Sequence, residues 1–227
     1  MLALTFLPLL CSAVGTQCDI SGAQISLPSN QTALVAPSEG PSFIGVAIGV
    51  QNYTCASTGT WTNVGAVAEL FDISCLYGTP EFSTIQEIAF NVWKLLPPAT
   101  PIQEIISFLE PYKASFVLGQ HYFVTSPSGT GLSPKWDFTS GILAENPEAF
   151  VIAAKVGDIP APTGSPDVDW LSLDNVEGDL AKQVFRVSTV NGDAPTSCTP
   201  GSSPISVKYA ATYCEPTVSL RHFHILT

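Results

Sequence analysis

The chain has 227 residues, of which 45% are hydrophobic and 12% are charged, and its net charge at neutral pH is −11. A chain of this length and apolar content can bury the core of one domain, which excludes an intrinsically disordered protein. Its 8 lysines and arginines are scattered, and they cannot form the basic stripe on which nucleic-acid-binding proteins depend.

The first ten residues, Met1–Leu10, are almost wholly apolar, and small residues follow them. This order is typical of a secretory signal peptide, and the apolar run is too short for a membrane span, which takes roughly 20 residues. We therefore predict a signal peptide over residues 1–15, a single β-rich domain over residues 16–227 and a secreted, extracellular protein. The N-x-[ST] triplets at Asn30 and Asn52 are the predicted glycosylation sites.

The segment that follows the signal leads into the first two predicted strands. Residues 18–42 are rich in Ser, Pro and Gly and indicate an extended lead-in. Phe43–Tyr53 is rich in β-formers, with glycines that suggest a bulge or a close backbone contact. Gly65–Phe71 is the second predicted strand, reached through a turn.

The pattern then changes from strand to helix. Thr79-Pro80 and Thr100-Pro101 each resemble a helix cap followed by proline at the first helical position. Apolar residues recur at the helical period after each of them, and Pro97-Pro98 ends the first run. We predict a two-helix insertion over about Pro80–Pro111.

Short strand candidates separated by turns rich in Gly and Pro make up the remainder of the chain. They are Ala114–Val124, Lys135–Phe138, Ala149–Val156, Trp170–Leu173, Gln183–Val190 and Ile205–Tyr213. Many short strands with such turns favour a mainly β fold, either an antiparallel β-sandwich or a barrel.

The cysteines indicate a disulfide framework. Five of the six remain once the signal with Cys11 is removed, and none lies in a C-x-x-C pair that would favour zinc. In an oxidising compartment we expect two disulfides and one unpaired thiol. Cys55 and Cys75 lie at the ends of adjacent predicted strands, so we predict a bridge between them, with Cys18–Cys198 as the second.

Four short motifs, taken in chain order, resemble those of one protein family. Gly49–Cys55 carries G-x-Q-x-Y-x-C, and His121 is followed by P-x-W at Pro134–Trp136. Asp169–Leu173 contains W-L-x-L, and Val184–Cys198 resembles the block R-x-x-T-x-G-G-x-A-P-x-x-C. The chain therefore resembles domain-of-unknown-function family 3455.

The resemblance covers roughly Ser42–Tyr213, and it implies secretion and a β-rich fold without an established biochemical function. Some members are catalogued as malate dehydrogenases, but a dinucleotide site requires a glycine-rich turn between a strand and a helix. The glycines of Gly45–Gly49 lie inside a predicted strand and lack the G-x-G-x-x-G spacing. We therefore disfavour the NAD-dependent malate dehydrogenase assignment and expect no cofactor.

The chain departs from the family at its C-terminus. The family-like region ends at Tyr213, and residues 214–227 resemble nothing in the family. A mis-spliced or frameshifted gene would produce such a tail, which makes Cys214 the preferred unpaired thiol. His222 and His224 have strand spacing that could suit a metal ion, but they fall in this tail, so no metal site is predicted.

Six side chains are candidates for function, although no catalytic motif accompanies them. The catalytic candidates are His121, Asp137 and Asp169, and the ligand-binding candidates are Trp136, Trp170 and Arg186. Histidine titrates near neutrality and can act as a general base, and acids beside aromatic residues are typical of glycan-cleaving sites.

A structural role is the favoured interpretation for each candidate. His121 would be held by a hydrogen bond, and the tryptophans would pack in the core. Arg186 lies among apolar neighbours in a predicted strand, where an unpaired charge is costly. We therefore expect it to pair with Asp137 or Asp169.

These observations favour a secreted, disulfide-stabilised, extracellular or cell-wall-associated binding or structural protein. Its expected partner is a cell-wall glycan or a small molecule, with no nucleic acid and no membrane span. The alternative is a secreted hydrolase acting on glycans, which requires His121 to converge with Asp137 or Asp169.

Overall fold

A computed structural model describes residues 18–112 and 116–216. The predicted signal peptide and the tail beyond Pro216 lie outside these ranges. The strands, in chain order, are β1 (Pro41–Cys55), β2 (Trp61–Asp72), β3 (Val117–Thr125), β4 (Leu132–Asp137), β5 (Phe150–Ile159), β6 (Trp170–Glu177), β7 (Gln183–Asn191) and β8 (Ile205–Pro216). Each of them overlaps one of the predicted strands, and β8 includes the first three residues of the suspected tail.

The eight strands form a closed antiparallel barrel in sequence order. Each strand pairs with the next one, and β8 returns to pair with β1 from Pro41↔Pro216 to Tyr53↔Ile205. Of the two predicted architectures, the barrel is therefore confirmed and the sandwich is not. Because β1 and β8 pair along most of their length, the backbone N–H and C=O groups at the two edges of the sheet bond to each other. Neither strand then exposes a row of unpaired backbone groups.

Alternation along the strands separates an inner core from an outer one. The interior contains large aromatic side chains, including Trp136, Phe138 and Tyr209, and they pack against small residues such as Ala47 and Ala211. A small barrel is filled in this way when large and small residues face each other across it.

The outer core lies between the barrel wall and the segment that precedes β1. Ile44, Val187 and Cys214 belong to the wall, and Ala23 and Ile25 belong to the preceding segment. The predicted lead-in thus packs its apolar residues against the outside of the barrel.

The predicted two-helix insertion is confirmed between β2 and β3. Thr79-Pro80 opens a 3-10 turn, and the α-helices are α1 (Ile85–Leu95) and α2 (Ile102–Leu109). α1 is fixed to the barrel by Trp93, whose Nε1 donates to the Gly49 carbonyl at 2.9 Å. No helix in the described residues has the length and hydropathy that a membrane span requires.

Two disulfides are present, as expected, but the predicted pairing is wrong. The bridges are Cys18–Cys75 and Cys55–Cys198, and Cys214 is free and buried. Cys55 pairs with the first residue of β2, whereas Cys75 follows its last residue. Because β2 has 12 residues, its ends lie roughly 40 Å apart, so these two cysteines are at opposite ends of the barrel and cannot bond.

Candidate functional site

Strand alternation divides the sequence-predicted site residues between the two faces of the barrel wall. His121 and Trp136 are direct cross-strand partners on β3 and β4, and both point into the interior with Arg186. Asp137 is the next residue on β4, so it lies on the outer face. The structure therefore brings His121, Trp136 and Arg186 into one region and separates Asp137 from them.

His121 is built into the interior rather than into an open site. Its ring stacks on the Trp136 indole, with centroids 4.4 Å apart and planes inclined by 16°. Its Nδ1 donates to the Lys135 carbonyl at 3.0 Å. Burial lowers the pKa of His121 to about 3, so the imidazole is neutral, and at 2% exposure it does not reach a substrate in solvent.

Asp137 has its bonding capacity filled by neighbours on the outer face. Tyr122 donates to Oδ2 at 2.6 Å, Thr139 donates to Oδ1 through both its amide and its hydroxyl, and Lys135 forms a 2.9 Å ion pair. Burial acts to raise the pKa of Asp137, but the hydrogen bonds from Thr139, Tyr122 and Lys135 together lower it below its usual value. This carboxylate stabilises the β3–β4 pair.

The expected acidic partner of Arg186 is a backbone carbonyl instead. Its Nε and Nη2 donate to the Asp169 main-chain oxygen at 3.1 and 2.8 Å. Arg186 takes part in none of the ion pairs found in the described residues. The predicted ion pair of Arg186 with the side chain of Asp137 or Asp169 was therefore wrong. The main-chain carbonyl of Asp169, just before β6, occupies the guanidinium donors instead.

The remaining predicted residues lie apart from this region. Trp170 is half-buried and packs against the outer core, and Asp169 is exposed. Asn30 is exposed in the segment before β1, whereas Asn52 is half-buried and accepts a 2.7 Å hydrogen bond from Ser206. Among residues 18–112 and 116–216, no three His, Cys, Asp or Glu side chains come together to hold a metal ion.

A cleft of about 580 Å³ lies on the outside of the barrel. Its floor is the outer wall of β1, β7 and β8, where the buried residues Ile44, Val187 and Cys214 line it. Its sides come from the segment before β1 and from Tyr77, Phe82 and Ser83. A volume of this size lies within the range of small-molecule sites. We define this cavity as the outer cleft.

The side of the outer cleft is held in place by several long-range bonds. The Cys18–Cys75 disulfide anchors the start of the segment, and the Tyr77 hydroxyl donates to the Gly22 carbonyl at 2.7 Å. Further along, Lys182 pairs with Glu39 at 3.0 Å. The segment has no regular secondary structure in residues 18–40, so these contacts position it.

The lining of the outer cleft is mostly uncharged. Hydroxyl-bearing residues, including Ser188 and Thr212, lie beside the apolar floor, and Glu39 is the charged residue of the lining. Burial raises the pKa of the Cys214 thiol to about 12, so it is protonated at neutral pH. This surface suits a neutral molecule with a substantial apolar part.

Sequence reasoning missed the outer cleft because its residues are scattered along the chain and carry no motif. The available signal was the apolar spacing in the lead-in, at Ile20, Ala23, Ile25 and Leu27. Apolar residues that recur in a solvent-exposed loop would remain in contact with water, so their presence indicates that the segment packs against another surface.

The family-like motifs meet each other at one end of the barrel. Tyr53, from the first motif, donates its hydroxyl to the Gly192 carbonyl at 2.9 Å, and Cys55 is bonded to Cys198. A family profile described as "Protein of unknown function (DUF3455)" matches residues 36–214. The chain belongs to the DUF3455 family. The match covers all of β1–β7 and β8 as far as Cys214. The contacts of Tyr53 and Cys55 tie β1 to the segment that follows β7, so these motif residues have a structural role in this chain.

No curated protein and no solved structure matches this DUF3455 chain. The glycines of Gly45–Gly49 lie inside β1, which leads through a hairpin into β2 rather than into a helix, so they do not form the strand-to-helix turn of a dinucleotide site.

The comparisons supply no function for this chain, and the functional proposal is based on the geometry of the outer cleft.

Proposed function

We propose that the protein is a secreted, extracellular binding protein that takes a small, uncharged molecule with a large apolar part into the outer cleft. The observation that carries this proposal is the cavity of about 580 Å³ with an apolar floor on the barrel wall. Burying an apolar ligand there gains about 25 cal/mol for each Å² removed from water, and the adjacent hydroxyls orient its polar groups.

Binding is better supported than glycan hydrolysis. The hydrolase alternative requires His121 and an acid in one open pocket, whereas His121 is buried inside the barrel and Asp137 lies on its outer face. Asp169 is exposed before β6 and contributes its backbone carbonyl to Arg186. The outer cleft contains none of these three residues.

The extracellular location is supported by the disulfides and by the composition of the N-terminus. The bridges Cys18–Cys75 and Cys55–Cys198 are typical of an oxidising compartment. Mass spectrometry of protein recovered from culture medium should find a chain that begins near residue 16 and carries glycans on Asn30 and Asn52. Recovery of the uncleaved chain from the cytosol alone would contradict secretion.

Titration with N-phenyl-1-naphthylamine, a neutral apolar dye that fluoresces when removed from water, tests the binding site. We expect saturable binding at one site, and loss of that binding in Val187→Trp, which fills the floor, and in Ser38→Trp, which blocks the rim. Thr130→Trp, in the exposed β3–β4 turn, is the matched control and should bind normally.

Using both Val187→Trp and Ser38→Trp distinguishes a blocked cleft from a misfolded protein. Val187 is buried, so its replacement requires a check by thermal melting, whereas Ser38 is exposed and tolerates a larger side chain. Absence of saturable binding, or normal binding by both variants, would overturn the proposal.

A further inference from the structure

A second cavity adjoins the outer cleft and differs from it in chemistry. It is an open groove of about 460 Å³ lined by Pro37, Ser38, Glu39, Asp174, Asn175, Lys182 and Gln183. Pro37, Ser38 and Glu39 also line the outer cleft, so the two cavities share one wall. We define this second cavity as the polar groove.

The polar groove is rich in hydrogen-bonding side chains held in fixed positions. Gln183 Nε2 donates to Asp174 Oδ1 at 2.8 Å, which leaves the second carboxylate oxygen to accept from a ligand. Asn175 donates through Nδ2 to the carbonyls of Gly178 and Ala181 at 2.7 and 2.6 Å, and these bonds hold the β6–β7 turn beside the groove. The groove thus offers a carboxylate oxygen next to an amide group.

The charges of the polar groove select against an anionic group. Glu39 and Asp174 supply two carboxylates, and the one cation, Lys182, is already bonded to both oxygens of Glu39 at 3.3 and 3.0 Å. A phosphate or carboxylate would meet this net negative charge without a free cation. A quaternary ammonium is recognised by aromatic faces, and the groove lining contains none.

We propose that the ligand is an amphipathic molecule whose apolar part occupies the outer cleft and whose uncharged, polyhydroxylated head group, such as a sugar, occupies the polar groove. This inference rests on the proposed function and specifies its ligand class. Hydroxyl groups donate to the Asp174 carboxylate and accept from the Gln183 amide, which is the bonding that a carboxylate–amide pair supports. The shared wall at residues 37–39 places both parts of one molecule within reach.

Competition with the bound naphthylamine dye tests this ligand class. The probes are free maltose and three alkyl compounds, dodecyl maltoside, dodecylphosphocholine and dodecanoate, each alkyl compound being used below its micelle-forming concentration. We expect dodecyl maltoside to displace the dye at least tenfold more effectively than the two other alkyl compounds, and maltose alone to bind far more weakly, because it lacks the apolar part.

Variants in the polar groove locate the head group. The double variant Asp174→Ala with Gln183→Ala should weaken dodecyl maltoside about tenfold, as expected for one or two lost hydrogen bonds, and should leave dye binding unchanged. Asp158→Ala, an exposed carboxylate on β5, is the matched control and should change neither.

The outcomes separate this inference from the proposed function. Normal dye binding with no preference for the maltoside, or a preference that survives the double variant, overturns the sugar-headed ligand and leaves the outer cleft as a binding site. Failure of the dye to bind at all overturns the proposed function and this inference together.

Discussion

The ammonium group of Lys208 on β8 caps the end of α1 through Trp93. Its Nζ lies 3.0 Å from the Trp93 carbonyl oxygen and 4.1 Å from the centre of the Trp93 ring. The same group donates to the Leu96 and Pro97 carbonyls at 2.8 and 3.3 Å. One side chain therefore donates to three carbonyls at and just beyond the end of α1, and it ties the helical insertion to the barrel.

Replacing Lys208 by methionine should destabilise the protein by about 1–3 kcal/mol, because charge-assisted hydrogen bonds and a helix-terminal cation are lost together. Urea unfolding measures the effect. Lys155→Met, which removes an exposed lysine paired with Asp158, should cost less than about 0.5 kcal/mol. Equal effects for the two variants would contradict the capping role.

Peptide mapping under non-reducing conditions should recover Cys18 linked to Cys75 and Cys55 linked to Cys198. Serine at both Cys18 and Cys75 should lower stability by about 2–5 kcal/mol and should weaken dye binding, because the first of these bridges anchors the side of the outer cleft. Serine at Cys55 and Cys198 is the matched control, since it removes a bridge that lies away from the cleft lining. A larger loss of dye affinity in the control would contradict this assignment.

The buried carboxyl group of Glu215 should make the protein less stable as the pH rises from about 4.5 to about 8. Burial raises the pKa of Glu215 to about 8, so the folded protein keeps a proton that the unfolded chain has lost above about pH 4.5. Each pH unit in this window lowers the free energy of unfolding by about 1.4 kcal/mol per group. Glu69, whose pKa burial and the nearby Glu110 also raise to about 8, acts in the same direction.

Urea unfolding between pH 7 and pH 8 isolates this effect. His121 has a pKa lowered to about 3 by burial, so its contribution runs the other way, rising with pH up to about 6.5 and then constant. Glu215→Gln should be more stable than the wild type at pH 8 and should show a shallower slope. Glu177→Gln, at an exposed position, should leave the slope unchanged; an unchanged slope in Glu215→Gln would refute the prediction.

Replacing Asp137 by asparagine should reduce stability by about 1–3 kcal/mol and leave dye binding unchanged. The variant breaks the 2.9 Å ion pair with Lys135. It also replaces the carboxylate oxygen that accepts from the Tyr122 hydroxyl by an amide group, which is a weaker acceptor through its oxygen and a second donor through its nitrogen. Asp158→Asn serves as the exposed comparison. Loss of dye binding without loss of stability would instead place Asp137 in the binding site.

The order and nature of the secondary-structure elements followed from local sequence. All eight strands overlap predicted ones, because β-branched and aromatic runs bounded by Gly and Pro leave few alternatives. The insertion was predicted for the same reason, since the helical spacing through Trp93 and the prolines that bound it are local signals. Its α-helix nevertheless begins at Ile85, after a 3-10 turn that proline at position 80 opens.

The choice between a sandwich and a barrel depended on contacts that no local pattern specifies. Both architectures use the same alternation of inward and outward residues, and only the pairing of β8 with β1, from Pro41 to Tyr53, distinguishes them. The predicted disulfide pairing was wrong for a related reason, because Cys55 and Cys75 are close in the sequence but lie at opposite ends of β2. Arg186 likewise donates to a main-chain carbonyl rather than to a carboxylate, because the fold places the Asp169 backbone beside its guanidinium group.

The amino-acid sequence by itself determined that this acidic, cysteine-containing chain of 227 residues is β-rich with a two-helix insertion, since strand and helix periodicities depend on residues close together in the chain. Its short motifs separately placed it in the DUF3455 family. Tertiary structure alone decided that the barrel closes, that His121 and Asp137 face opposite sides of its wall, and that residues 21–41 form an outer cleft against β1, β7 and β8. A cleft is made by side chains that are distant along the chain, and their approach is set by the packing of the whole fold.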